Sequence, residues 1–489
     1  MRLSVTLLAF SMLSGCATNE IGEPLLAPAP APANAREGTP PAIAFPLDAA
    51  TIDIRLDGTL YPAVLTVPFE DDPLDVNTGA SVEAQAMCIE QGEQKACFDL
   101  QPGVPQRVDF LFEGATYRAD FVNLGADAAF PADYREEHRG TLRADTSRAY
   151  ELVNVAIALS ESARGNEGLI RPGPYADVVY ARFDTLRDHP FVKAIDKLIA
   201  EDFSEYHRIK MNGASFDLDA ENRLTRSTIY DRVGWGSNAL LPLKEEMQDF
   251  AVAADFAAFF AEQRPTYDTQ RKIFLDHLDA PAMLDWLRAE FPGAEPFDAV
   301  RVFFSPLVGH SQSLATPSDG EFSELQPHVD VPPEEPVTES LGAEAGSFWR
   351  GATLFTELNH GFIDVPADAV QEDIGRLFSC RDPWVVPNSA GDGYPGPRAL
   401  FVELMNWALI SVRARDTLSP AAAAQVAARA EFVMEKKRGF TGFGEFQEEV
   451  LAAEDRALPF ASSYPALMKR LEARRPTIAG VEKCEASTS

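Results

Sequence analysis

Thr356, Glu357, Leu358, Asn359 and His360 stand close to a pattern that holds zinc. In H-E-x-x-H on a helix, two imidazoles one turn apart grip the metal, and the Glu between them polarises a metal-bound water. Glu357 occupies the position of that base and His360 that of the second ligand. Thr356 occupies the position of the first. Thr356 and His360 are i and i+4, so they share a helix face with Glu357 beside them. A threonine hydroxyl is a weak, neutral ligand, so this replacement lowers zinc affinity steeply. A catalytic zinc also takes three protein ligands and a water, so another ligand must come from elsewhere. The same E-x-x-H spacing serves helices whose His is simply hydrogen-bonded, and carboxylate-bridged di-iron bundles need two copies where this chain carries one.

The motif must be held by a helix, which the sequence places over 347–363. Upstream, Ala299-Val300-Arg301-Val302-Phe303-Phe304-Ser305 is β-branched and aromatic, hence a buried strand that Pro306 closes. A polar, Pro-rich loop from His310 to about 337 follows. Downstream come a loop over 379–397 and helices over 398–413, 420–437, 443–453 and 463–474. Before the strand, a helix begins near Tyr150, capped by Asp145 or Ser147, and others are expected over 191–203, 239–263, 270–277 and 283–291. Asp188-His189-Pro190 reads as a helix start, and His207 as a partner for Glu205. Further upstream, alternating runs such as Thr51-Ile52-Asp53-Ile54-Arg55-Leu56 are separated by turn pairs, Asp57-Gly58 and Glu113-Gly114. The expectation is an α+β chain: a small antiparallel β domain over 49–140, then a mainly helical domain over 145–480.

The N-terminus speaks to compartment. Met1-Arg2 is a short basic region, 3–13 is apolar, and Leu13-Ser14-Gly15-Cys16 resembles the bacterial lipobox. In that motif the signal peptide, here 1–16, is cut before the Cys, whose thiol carries the lipid. Ala17 in place of Asp favours the outer membrane. The stretch 17–48 is Pro/Ala-rich, a semi-rigid spacer between lipid and folded body. The apolar run is too short to span a bilayer.

With 43 basic and 75 acidic residues the formal charge is −32, which argues against nucleic acid and against flat binding to anionic lipid. Asp217-Leu218-Asp219-Ala220-Glu221-Asn222 alternates oxygens but lacks the Gly and terminal Glu of an EF-hand loop, so it reads as a polar turn. In an oxidising envelope, Cys88 is expected to pair with Cys97 and Cys380 with Cys484. No G-x-S-x-G elbow, P-loop or G-x-G-x-x-G is present.

Wider segments carry a resemblance. Glu151-Leu152-Val153-Asn154, Leu186-Arg187-Asp188-His189-Pro190-Phe191-Val192, the strand end Phe304-Ser305-Pro306-Leu307 and the stretch from Phe355 to Phe362 resemble a domain-of-unknown-function family of bacterial lipoproteins and secreted proteins that look like zincin metallopeptidases. Members read roughly F-H-E-F-x-H-x-F in the last stretch. The resemblance covers about 150–413, a little over half the chain. It implies a zincin-like fold with Glu357 as general base, His360 and Glu403 as zinc ligands, and Thr356 as the degenerate position. His310 and His328 are conceivable replacements for the missing ligand. In such folds a strand edge beside the motif helix takes extended peptide. Two functions stay open: a zinc peptide hydrolase that is weak or inactive, and a non-catalytic surface lipoprotein of the cell envelope that binds protein or peptide.

Overall fold

The computed structural model describes residues 40–474 apart from 49–50, 57–58, 65–73, 80–83, 93, 103, 113–114, 296, 333–340, 382 and 395. The signal peptide with Cys16, most of the spacer, the turns Asp57-Gly58 and Glu113-Gly114, and Cys484 lie outside the described residues.

Alternation of apolar residues builds the N-terminal strands: β1 (Ile43–Pro46), β2 (Thr51–Leu56), β3 (Thr59–Val64), β4 (Leu74–Gly79), β5 (Gln85–Gln91), β6 (Gln94–Leu100), β7 (Gln106–Phe112) and β8 (Ala115–Asn123). They form two sheets, ordered β3-β2-β5-β6 and β1-β7-β8-β4. Ile52, Ile54, Met87 and Ile89 from one sheet meet Val108, Phe110, Ala119 and Phe121 from the other in a single core. The first sheet is antiparallel as expected. The second is mixed, because β1 and β4 join its edges parallel to β7 and β8. Alternation sets which face is buried and leaves strand direction open, so those two edges were not legible. Cys88 and Cys97 face each other across β5 and β6 and form the expected disulfide. Cys380 is also disulfide-bonded.

The body follows as α1 (Ala132–His138), β9 (Leu142–Asp145), α2 (Arg148–Leu159), α3 (Pro174–Phe183), α4 (Pro190–Glu201), α5 (Ser204–Asn212), β10 (Phe216–Leu218), β11 (Leu224–Arg226), α6 (Lys244–Ala253), α7 (Phe256–Lys272) and α8 (Ala280–Glu290). Then come β12 (Ala299–Phe304), β13 (Ser313–Ala315), β14 (Glu324–Val329), α9 (Ala343–Trp349), α10 (Ala352–Asp368), α11 (Gln371–Phe378), α12 (Pro397–Thr417), α13 (Pro420–Phe432), α14 (Phe443–Ala453) and α15 (Tyr464–Arg474). The chain is thus α+β and mainly helical.

The body's sheet is ordered β13-β14-β12-β9, with β9, β12 and β14 parallel and β13 antiparallel on one edge. Ala144, Val300, Val302, Phe304, Leu325 and Val329 point to one face and join the core built by α8 and α10 to α15. Ala299, Phe303 and Ala315 point to the other, against Tyr150 of α2 and Met211 of α5. Helices α2 to α7 build a further core beyond. Covered on both faces, the parallel strands obey the usual rule for such sheets.

Several expected boundaries move. The helix expected over 239–263 breaks at Asp255, which takes a left-handed φ of 44°. The next helix runs through Pro265 into a π-helical turn, Ile273–His277, because Phe256, Phe259 and Tyr267 are buried on both sides of the proline. The expected loop after His310 holds β13 and β14, whose Pro, Ser and Gln content hid them; Pro327 faces Leu314 of β13. The helix expected over 347–363 divides at Gly351, where a Cβ would sit 2.3 Å from Met283 Cε of α8. Asp219 accepts from Arg223 N, at 2.8 Å, and from Glu221 N in a β10–β11 hairpin, which makes the acidic stretch the polar turn expected.

Candidate functional site

The middle of helix α10 is buried all round: Leu354, Phe355, Leu358, Phe362 and Ile363 pack into the core, and Thr356, Glu357, Asn359 and His360 are each at most 1% exposed. Polar groups buried this deeply need partners. Thr356 Oγ1 donates back to Thr353 O of its own helix, at 2.7 Å. Asn406 Nδ2, from α12, donates to His360 Nε2 at 2.7 Å, and Asn359 Nδ2 donates to Asn406 O at 3.1 Å. With Nε2 accepting, a neutral His360 carries its proton on Nδ1. Burial lowers the His360 pKa, Arg438 adds to that, and Glu403 and Asp364 oppose, so the ring is neutral at pH 7.

Glu403, one turn before Trp407 on α12, is also fully buried. Its Oε1 accepts from Arg438 Nη1 and from Trp407 Nε1 at 3.1 Å. Arg438 Nη2 donates to Tyr394 OH at 3.0 Å, and the guanidinium carbon lies 5.2 Å from the Trp407 ring and 5.3 Å from Phe440. Burial alone would raise the Glu403 pKa. The charge and hydrogen bond of Arg438, with a hydrogen bond from Asn406, outweigh it and hold the carboxyl below its ordinary value.

The two expected ligands, His360 and Glu403, therefore are brought into one electrostatic neighbourhood, with Asn406 and Arg438 placed among them. This arrangement already engages His360 Nε2 and Glu403 Oε1, while Glu403 Oε2 is buried with no hydrogen-bond partner. The imidazole lone pair that would hold a metal accepts from Asn406, Glu403 Oε1 holds Arg438 and Trp407, and a guanidinium already supplies positive charge beside the carboxylate. Among the described residues, no group of three or more His, Cys, Asp or Glu is placed to hold a metal. His328 lies on the sheet face away from α10, stacked on Phe303 with ring centroids 5.0 Å apart, and burial pushes its pKa well down. His310 is exposed, in a loop whose backbone N–H donates to Glu167 O.

Glu357 feels a second internal cation. Lys210 of α5 is fully buried, and its Nζ donates to Ser311 O at 2.8 Å and lies 4.7 Å from the Tyr206 ring centroid. Burial lowers its pKa to about 7, against the opposing fields of Glu357 and Asp330. Helix α5 also covers β13: His207 Nδ1 meets Ser313 Oγ at 2.7 Å, and Ser313, Leu314 and Ala315 are all buried. His207 is not paired with Glu205 as expected; Glu205 instead binds Arg208. On α5, His207 points towards the sheet, and Arg208, one position further on, lies nearer the surface. His189 caps α4 as expected, accepting from Phe191 N at 3.2 Å.

Sequence reasoning missed Asn406, Arg438 and Lys210. Asn406 lies three residues after Glu403 on the same helix face, a spacing that could have marked it. Arg438 is 35 positions from its partner and carries no local signal. Comparison with protein-family profiles, with curated proteins and with solved structures finds no match.

Proposed function

We propose that this chain is a cell-envelope lipoprotein, anchored through a lipid on Cys16, whose zincin-like domain has exchanged its metal for an internal cation and binds protein or peptide without hydrolysing it. The observation that carries this reading is the buried Arg438–Glu403 ion pair beside a His360 already bound by Asn406. The order of elements supports the zincin-like part: parallel β12, antiparallel edge β13, parallel β14, then the helix bearing Glu357 and His360. The lipobox residues support the anchor, and the acidic surface suits a tethered body that stays off anionic lipid.

The test is metal analysis of the protein purified without chelator. The wild type carries no stoichiometric zinc, and Thr356→His alone gains none, because Arg438 still holds Glu403. The double variant Thr356→His, Arg438→Met gains zinc at close to one ion per chain. Tightly held zinc in the wild type, lost in His360→Ala, overturns the reading and restores a peptidase. For the anchor, palmitate labelling of the wild type and its loss in Cys16→Ser is the expected result.

A further inference from the structure

The chain passes from β8 of the sandwich to α1 of the body through residues 124–131. Among the described residues, the core of the sandwich shares no side chain with the three cores of the body, and this connection joins them. It is not a free loop. Arg232, only 4% exposed, caps three successive carbonyls: Nη1 donates to Leu124 O and Ala126 O, each at 3.2 Å, and Nη2 donates to Gly125 O at 2.6 Å. Ala129 N donates to Ile229 O at 2.7 Å, and Asp127 O accepts from Asp231 N at 2.9 Å and from Arg232 N at 3.3 Å. The segment 229–233 is itself tied to the body, because Val233 N donates to Asn212 Oδ1 of α5 at 3.0 Å and Tyr230 OH donates to Glu324 of β14.

The weak point of this fastening is Asp127. Its carboxylate accepts from Ser318 N at 2.6 Å, in the turn between β13 and β14. The charged groups that face it are unbalanced. From the 229–233 side come Asp231 and Arg232, 3.8 Å apart, and the Arg232 guanidinium directs its hydrogen bonds to main-chain carbonyls rather than to the Asp127 carboxylate. From the turn side come Asp319 and Glu321, both bound to Arg135 of α1. Among the described residues no cation forms an ion pair with Asp127, so its ionised form has one N–H donor and a more distant guanidinium to set against loss of water. Burial pushes its pKa up to about 6, opposed by the Ser318 bond and the field of Arg232, while Asp231 adds to the rise.

We propose that residues 124–129 are a latch between sandwich and body, closed by Arg232 and released by ionisation of Asp127. Protonated, Asp127 is a neutral group that the closed junction accommodates. Ionised, it favours an open connection that returns the carboxylate to water and lets the sandwich swing, while both cores stay folded. The carboxyl holds its proton more tightly in the closed junction than in water. Its contribution to closure is therefore full below the ordinary value of 3.8 and is lost as pH rises through about 6. The latch stands apart from the cluster around His360 and does not depend on how that cluster is read.

Hydrogen exchange of the purified protein reads the latch at the N–H groups of Ala129, Asp231, Arg232 and Ser318, all bonded across the junction. After correction for intrinsic exchange, their protection falls about tenfold more between pH 5 and pH 8 than that of β5 in the sandwich and β12 in the body. Asp127→Asn keeps an acceptor for Ser318 N and removes this pH dependence. Arg232→Met lowers protection of the same groups on the order of 100-fold at both pH values, for three lost hydrogen bonds, and leaves β5 and β12 unchanged. Small-angle X-ray scattering of that variant shows a larger maximum dimension than the wild type. Asp127→Asn decides the proposal even where Arg232→Met does not fold. Junction protection that is independent of pH in the wild type, that keeps its pH dependence in Asp127→Asn, or that survives Arg232→Met overturns it.

Discussion

Replacing Arg438 by Met removes the cation from a carboxylate that has no water to turn to. Glu403 is fully buried and Arg438 is 9% exposed, so the pair is an internal one. Deleting one partner of such a pair costs about 3–5 kcal/mol, because the remaining charge is left uncompensated. The sign with pH distinguishes this from simple loss of packing. In the wild type the Glu403 pKa lies below its ordinary value of 4.5, so its stabilisation is present above that value and is lost as pH falls through the lower folded value. In Arg438→Met, burial acts without that cation, only the hydrogen bonds of Asn406 and Trp407 remain to oppose it, and the pKa rises. The folded variant then takes up a proton more readily than the unfolded chain, so its deficit against the wild type shrinks as pH falls from 7 to 5. The assay is urea denaturation of both proteins at the two pH values. The double variant Arg438→Met, Glu403→Gln recovers most of the loss, since the Gln oxygen still accepts from Trp407. A deficit below about 1 kcal/mol, a deficit independent of pH, or a double variant as unstable as the single would refute the ion-pair account.

Other expectations follow from the same contacts. Burial pushes the Glu151 pKa from its ordinary 4.5 up to about 8, so its contribution is full below 4.5 and is lost as pH rises towards 8; the span is on the order of 5 kcal/mol. Glu151→Gln keeps the acceptor for Tyr175 and should flatten that slope in denaturation measured from pH 5 to 8.5. Lys210 has a folded pKa lowered to about 7 from 10.5, so it opposes folding below 7 and ceases to do so as pH rises towards 10.5. Relative to the wild type, Lys210→Met should therefore lose stability as pH rises from 7 to 9, whatever the fixed cost of leaving Glu357 without that cation. The Cys88–Cys97 bridge spans nine positions, and its loss in the double Ser variant should cost the N-terminal sandwich roughly 2–3 kcal/mol, read as a lowered melting temperature.

Fold class was readable because it rests on periodicity and β-branched runs: Ile52 and Ile54 on one face, Val300 to Phe304 in a buried strand, Ser147 capping α2 by accepting from Tyr150 N. What was not readable rests on contacts between distant positions. Helix α2 looked one-sided, yet Ala149 to Leu159 are buried on every side, because the sheet and four further helices close around it. Strands β13 and β14 looked like loop, because a strand whose sides are both covered needs no alternation and tolerates His328 and Gln326 where neighbours enclose them. At the candidate site, residue types predicted which side chains would lie near one another, and could not predict that Asn406 and Arg438 would occupy their lone pairs.

On the proposed reading, the charge arithmetic of α10 accounts for a motif of this kind without a metal. Two buried carboxylates, Glu357 and Glu403, cannot remain ionised in a dry core without nearby positive charge. A zinc ion would bring two units of it. Lys210, in the field of Glu357, and Arg438, bonded to Glu403, bring up to two between them, from segments on either side of α10 in the chain. With those cations in place the charge of a metal is not needed beside α10, and a residue such as Thr356 that satisfies itself on Thr353 O fits the position better than an unliganded His would. On this account Thr356 and Arg438 are coupled: restoring the histidine without removing the arginine leaves a buried imidazole with no metal to bind, and removing the arginine without restoring the histidine strands a carboxylate. The Thr356→His, Arg438→Met double variant should therefore be more stable with zinc than the sum of its two single variants implies, by at least about 1 kcal/mol in a double-mutant cycle, and additivity within error would separate the two positions.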